Sequence, residues 1–395
     1  MNREKTRIPE LDGLRVLMIF IVSWYHIWQQ SWLRPSIGSY SLDYLVRSGY
    51  VWVDGTVLLS CFLLFLPWAR AMTDSTPAPE TKDFYYRRFR RVVPGYYFIT
   101  LAVFFAIALP WALYTSPQYM VKDLATHLTF TFTFFYDTYV ATPLGAAGWT
   151  LAILVQGYIL FPLIARGVMK KPALTLCLMV AVCFGFRAWC IWALSDYTMV
   201  VNQLLNFLDV YVLGIGASIA FVRLEKLREE RGGRIHAGLQ TLATLLFLAA
   251  FWALLSLLRT QAGAPNYPEI QKRQMMYRPL FGLCFTMLAL SAPFSFMPLR
   301  KLLGNPVTKF LSAISMNYYL IHQTVTVHLK RLGIPWSENE EPHIAGELQW
   351  QIKYTALAFG ISVVLAVIVT YAVEKPAARW LDRHRKKRLP EQPPG

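Results

Sequence analysis

The sequence lacks several things at once, and each absence removes a class of function. No Cys-x-x-Cys pair occurs, and the five cysteines, Cys61, Cys177, Cys183, Cys190 and Cys284, all lie in apolar segments. They read as small core residues, not as a metal centre or a disulfide framework. There is no Gly-x-Ser-x-Gly elbow, no phosphate-binding Gly-rich loop ending in Gly-Lys-Ser/Thr, no His-Glu-x-x-His and no paired carboxylates in one short motif. A serine hydrolase, a nucleoside triphosphatase or a zinc protease is therefore not suggested, and no metal is expected. Charge is scarce, at 16% of residues, and internal repeats are absent, so an inverted-repeat transporter gains no support.

What is present is apolar surface in long runs. Over half of the 395 residues are hydrophobic, so the fold class expected is all-α, a polytopic transmembrane helical bundle. Ten spans are placed at about 12–33, 50–69, 92–114, 149–168, 172–194, 203–222, 237–258, 278–296, 310–329 and 354–373. The aromatic stretch 130–136 reads as a re-entrant or interfacial segment. The first span has no small-residue cleavage site and is expected to be retained. Residues 1–388 are read as one membrane domain, and the Pro-rich tail 389–395 as disordered.

The net charge of +16 raises nucleic acid as a partner, but the charges are scattered among short loops, and no nucleic acid is expected. With span-end residues counted in the nearest loop, 28 of the 39 Lys and Arg fall on one side and 10 on the other, leaving Arg187 within the fifth span. That asymmetry places both termini in the cytoplasm, and the plasma membrane is the expected location.

The first span carries Arg15 and His26, eleven positions apart. At 3.6 residues per turn they share one helix face, about 16 Å apart along the axis. Ionisable residues inside a span usually face a bundle interior or wet cavity, and His is suited to take and return a proton. A topology signal at Arg15 and an interfacial position for His26 explain the same residues more simply. Arg87, Arg88, Arg90 and Arg91 are read as opening the third span, where four guanidiniums and helix N-terminal donors suit a polyanion such as coenzyme A. A positive-inside anchor touching membrane lipids uses the same pattern. Asp54, Arg187 and Asp209 are further intramembrane charges, and Arg187 with Asp209 makes a plausible structural pair. His322 shares the ninth span with Ser315, Asn317 and Tyr318, while Glu374-Lys375-Pro376 reads as a salt-bridged helix end stopped by proline.

In this order the motifs resemble the membrane-bound acyltransferase-3 family, which O-acylates cell-surface carbohydrates and other acceptors. Arg15-x10-His26 after Leu11-Asp-Gly-Leu is similar to the family's Arg-x10-His signature. The segment Gly49–Leu63, the Arg87–Arg91 cluster followed by Pro94, the segment Leu311–Gln323 and Tyr371–Pro376 resemble its other motifs in sequence order. The resemblance implies an acyltransferase that moves an acyl group, acetyl first among candidates, from cytoplasmic acyl-CoA to a hydroxyl of an extracytoplasmic carbohydrate or glycolipid. It assigns His26 as general base, Arg15 to the donor or to developing charge, and Asp54 to orienting His26 or the sugar. Arg87, Arg88, Arg90 and Arg91 are assigned to the donor phosphates, and His322, Tyr318 and Trp149 to substrate contact. Envelope-biosynthesis proteins are the implied partners, and no fused extracytoplasmic esterase-like domain is expected. One departure stands out: Leu154 occupies the position of a family glutamate. A glycan or lipid flippase and a non-catalytic family member are the rival readings.

Overall fold

The computed structural model describes residues 7–230 and 237–388, so the tail expected to be disordered lies outside the described residues. The elements are α1 (Pro9–Ser31), a two-residue hairpin pairing Ser36–Ile37 with Tyr40–Ser41, α2 (Asp43–Arg47), α3 (Trp52–Asp74), α4 (Thr81–Val103), α5 (Pro117–Leu128), α6 (Tyr136–Tyr139) and α7 (Trp149–Lys170). There follow α8 (Pro172–Ala193), α9 (Leu208–Glu230), α10 (Ala237–Ala262), α11 (Tyr267–Ser291), α12 (Met297–Leu303), α13 (Pro306–Arg331), α14 (Leu348–Ile368) and α15 (Lys375–Arg388). Among the described residues, nine helical segments are long and apolar enough to cross a membrane. The 26-residue α13 adds a tenth long helix whose inner face is polar, with Ser312, Ser315, Asn317, His322 and Thr326 buried. The protein is thus a helical bundle of about ten spans.

Hydropathy placed the spans but missed where several helices begin. α4 starts at Thr81, eleven residues before the expected third span, and its axis continues through a π-helical turn at Phe104–Ala108. α11 starts at Tyr267, capped by the Asn266 side chain, because Gln271, Gln274 and Arg278 are buried and do not end the helix. Pro376 does not stop the last span either. A π-helical turn at Val369–Glu374 leads directly into α15, and a widened turn of this kind tolerates a local break in the hydrogen-bond ladder. The stretch 130–136 is neither span nor extended loop: Phe132–Phe134 forms a 3-10 turn before α6, and Phe130 stacks on Tyr96 of α4 with centroids 4.6 Å apart. Lys122 hydrogen bonds hold the Asp137 carboxyl below its ordinary range and tie α5 to α6.

The main apolar cluster is built largely on α1, α3, α9, α10 and α11, with smaller clusters beside it. Inside it, small residues let backbones approach, the usual means of packing helices within a bilayer. A Cβ on Gly13 would collide with the Leu303 carbonyl oxygen of α12, and one on Gly214 would sit 2.9 Å from the Leu58 carbonyl oxygen of α3. Backbone cannot swing away as a side chain can. Gly13→Ala should therefore separate α1 from α12 and cost about 1–3 kcal/mol. The expected outcome is a lower unfolding temperature of the detergent-purified protein.

Candidate functional site

The Arg15 and His26 face of α1 opens onto two different cavities. The first, about 410 Å³, is lined by Arg15, the four arginines of α4, and residues of α3, α7 and α13. The second, about 370 Å³, is lined by His26 and by side chains of α3, α7, α11 and α13. Neighbouring residues on shared helices divide between them: Ile19 and Val22 on α1, Thr56 and Val53 on α3, Thr150 and Trp149 on α7 each face the arginine and the histidine cavity respectively.

In the arginine cavity the four α4 guanidiniums are not equivalent. Arg87 is paired with Asp83, Arg90 with Asp382 of α15, and Arg91 with Glu374. Arg88 has no carboxylate partner among the described residues; its guanidinium lies 5.7 Å from the Phe84 ring and 5.9 Å from that of Tyr158. Arg15 reaches the Ser312 hydroxyl at 3.4 Å, and that hydroxyl donates to Asp12. Because α4 begins at Thr81, the cluster sits beyond its first turn, away from the helix N-terminal amides expected to assist it. Leu154 lines this same cavity. A glutamate there would stand among the arginines; leucine leaves the cavity more positive.

In the second cavity, Gln29 carries the orientation that the sequence assigned to Asp54. Gln29 donates from Nε2 to the Tyr25 hydroxyl at 3.0 Å, so its Oε1 accepts from His26 Nδ1, also at 3.0 Å. That fixes the proton on Nδ1 and leaves the Nε2 lone pair free to accept another. His322 is set the same way: Nδ1 donates to the Tyr319 carbonyl at 2.6 Å, and Nε2 is buried without a partner. The two imidazoles lie 5.2 Å apart, and the Tyr319 ring, which lines the arginine cavity, lies 5.4 Å from His322. Tyr319 also shares a 2.7 Å hydrogen bond with Thr150. His26, His322, Tyr319 and Thr150 thus form the wall between the cavities.

Other expected site residues fall in different places. Trp149 lines the histidine cavity. Tyr318 lines neither; its hydroxyl bonds Ser23 at 2.6 Å and its ring stacks on Phe20 at 4.6 Å, which braces α1 against α13. Asp54 is fully buried and faces Arg278, 3.2 Å away, not His26. Arg278 also donates to the Val201 and Asn206 carbonyls, while Arg187 donates to Asn206 and to Asp209 at 2.7 Å. The Arg187–Asp209 pair is where the sequence suggested it. Residues not singled out from sequence are Gln29, Asn202, Gln271, Gln274 and Gln323, which line the histidine cavity. Gln29 carried a signal, lying one helical turn after His26; the others did not. Among the described residues, no cluster of His, Cys, Asp and Glu is placed to hold a metal.

The acyltransferase domain family matches residues 8–373, nearly the whole chain. The chain belongs to this acyltransferase family. It is also 24% identical over 202 residues to the peptidoglycan O-acetyltransferase OatA of Listeria monocytogenes, an overlap of 46% of this chain and 28% of that protein, so it spans well under half the length of that relative. No solved structure gives a significant match. In this acyltransferase domain the two histidines and the five arginines belong to one bundle, with the Asp54–Arg278 pair behind the histidine cavity.

That pair makes a separable prediction. Removing one partner of a buried ion pair strands the other charge, at about 3–5 kcal/mol, whereas replacing both with apolar groups costs far less. Asp54→Leu should lower yield and unfolding temperature sharply, and the double change with Arg278→Met should recover much of both. A double variant no better than the single one would remove this bracing role.

Proposed function

We propose that this protein is a multi-pass plasma-membrane O-acyltransferase that takes an acyl group, acetyl in the first instance, from cytoplasmic acyl-CoA and passes it to a hydroxyl of a carbohydrate or glycolipid on the far side. The observation that carries the reading is the pair of cavities: one rich in guanidinium, one holding a histidine with a free Nε2, meeting at a shared wall. The Lys and Arg asymmetry supports both termini and the arginine cavity facing the cytoplasm.

Arg88, with no carboxylate partner among the described residues, and Arg15, whose contact to Asp12 is long at 4.0 Å, bind the donor phosphates first. Arg87, Arg90 and Arg91, neutralised by their carboxylates, line the cavity with N–H donors rather than net charge. The extended pantetheine arm brings the thioester carbonyl between Tyr319 and Thr150 to the boundary of the histidine cavity. There, His26 Nε2 accepts the proton of the acceptor hydroxyl as its oxygen attacks the carbonyl carbon. The C–S bond breaks, the ester C–O bond forms, and the CoA thiolate takes up the proton from His26. Gln29 keeps the imidazole in the tautomer this needs. Leu154 takes no part in proton transfer, so the reaction rests on the histidines and not on a carboxylate. Envelope-biosynthesis proteins that deliver or receive the acceptor are the expected partners.

His26→Ala should reduce acyl transfer from labelled acetyl-CoA at least about a hundredfold, in line with loss of a general base, while leaving CoA affinity and the size-exclusion profile unchanged. Turnover near wild type in the folded variant would exclude His26 as the base. Within the arginine cluster, Arg88→Gln should weaken CoA binding by about tenfold, or 1.4 kcal/mol, and Arg87→Gln by much less. Calorimetric titration at fixed ionic strength reads both, and equal losses would contradict the distinction between free and paired arginines.

A further inference from the structure

The two cavities differ most in charge. The arginine cavity holds five guanidiniums, whereas the lining of the histidine cavity includes no Lys, Arg, Asp or Glu. Besides His26 and Thr198, its polar groups include the amides of Gln29, Asn202, Gln271, Gln274 and Gln323, and among its apolar residues are five aromatic rings, Tyr25, Tyr50, Tyr139, Trp149 and Tyr267. The ions packed behind it are matched, Arg278 with Asp54 and Arg187 with Asp209, so they project no net charge through the wall.

Two of the amides show which end they offer. Asn202 donates from Nδ2 to the Tyr139 hydroxyl at 2.8 Å, and its buried Oδ1 has no partner. Gln271 donates from Nε2 to the Thr198 hydroxyl at 3.3 Å, and its buried Oε1 has none either. A buried carbonyl left without a donor is costly, so both sites favour a ligand that brings O–H or N–H groups. A carboxylate or phosphate brings only acceptors and would find no cation to pair with. Asp196, which accepts hydrogen bonds from Thr198 beside this wall and is held below its ordinary value by them, adds repulsion toward an anion. Aromatic faces with amide edges suit a ring with apolar faces and a hydroxylated rim.

We infer that the acceptor cavity selects an uncharged, hydroxylated sugar ring and excludes rings carrying a carboxylate, phosphate or sulfate, with Asn202 and Gln271 accepting from its hydroxyls and Gln274 and Gln323 completing an uncharged rim. This rests on the acyl-transfer reading for why a sugar enters at all. It adds a charge filter: the polyanionic donor and the neutral acceptor are sorted by the two cavities and cannot exchange places.

The test uses the full-length purified protein in lipid nanodiscs, without donor. Calorimetric titration with a neutral trisaccharide, N-acetylchitotriose, and with an anionic one, trigalacturonate, should show the neutral sugar bound at least tenfold more tightly. Gln274→Arg should narrow or reverse that ratio by supplying the missing cation. Gln271→Ala should weaken the neutral sugar and so locate it in this cavity. Equal or stronger binding of trigalacturonate, or no binding of the neutral sugar, overturns the inference, and the wild-type ratio decides even if a variant fails to fold. Titrating CoA against the same preparation separates the two readings. Absent CoA binding with neutral-sugar preference intact defeats the acyl-transfer reading alone, whereas CoA binding with an anionic preference defeats the charge filter alone.

Discussion

Where α1 crosses α13, Ser23 and Tyr318 share a 2.6 Å hydrogen bond, Phe20 stacks on Tyr318, and three residues further along His26 comes to lie 5.2 Å from His322. That crossing fixes the relative height of the two histidines at the boundary between the cavities. It also ties the arginine end together, because Ser312 of α13 bridges Arg15 and Asp12 of α1. Change the register of these helices by one turn, about 5.4 Å, and Arg15 loses Ser312 while His26 leaves the wall. The rest of the bundle holds this pair in place.

The bracing is electrostatic as well as apolar. α3, α8, α9 and α11 meet at buried Arg and Asp side chains whose charges cancel, and Asn206 accepts from both arginines through its side chain and carbonyl. Pairing of this kind is how ionic groups are tolerated at membrane depth. On the other flank, α15 lies against α4 and supplies Asp382 to Arg90, and Arg385 to Asp83. The same electrostatics therefore differ at the two ends: near the histidine cavity they cancel, leaving a neutral chamber, and near the arginine cavity they cancel incompletely, with Arg88 lacking a carboxylate partner among the described residues and Arg15 only 4.0 Å from Asp12.

Much of this was legible in the sequence, for physical reasons that can be named. The eleven-residue spacing of Arg15 and His26 is a statement about one helix, and α1 is one continuous helix. Arg187 and Asp209 were lone charges in successive spans, so pairing was their natural use. What failed to show were relations set by distant packing. Nothing local links Asp54 to Arg278, 224 positions away, or tells which of four arginines lacks a partner. The polar first turns of α11 looked like loop because hydropathy cannot distinguish a glutamine facing water outside the protein from one facing a chamber within it. Pro376 read as a stop because the preceding π-helical turn has no clear sequence signature.

The central claim is that the acyl group passes through the wall formed by His26, His322, Tyr319 and Thr150. The most direct measurement is an electron cryo-microscopy structure of the protein in lipid nanodiscs with a non-hydrolysable thioether analogue of acetyl-CoA. The account predicts the phosphates against Arg88 and Arg15, and the acyl carbonyl at the Tyr319–Thr150 side of the wall, facing His26. An analogue bound with its acyl end pointing away from that wall, or held outside the arginine cavity, would contradict it.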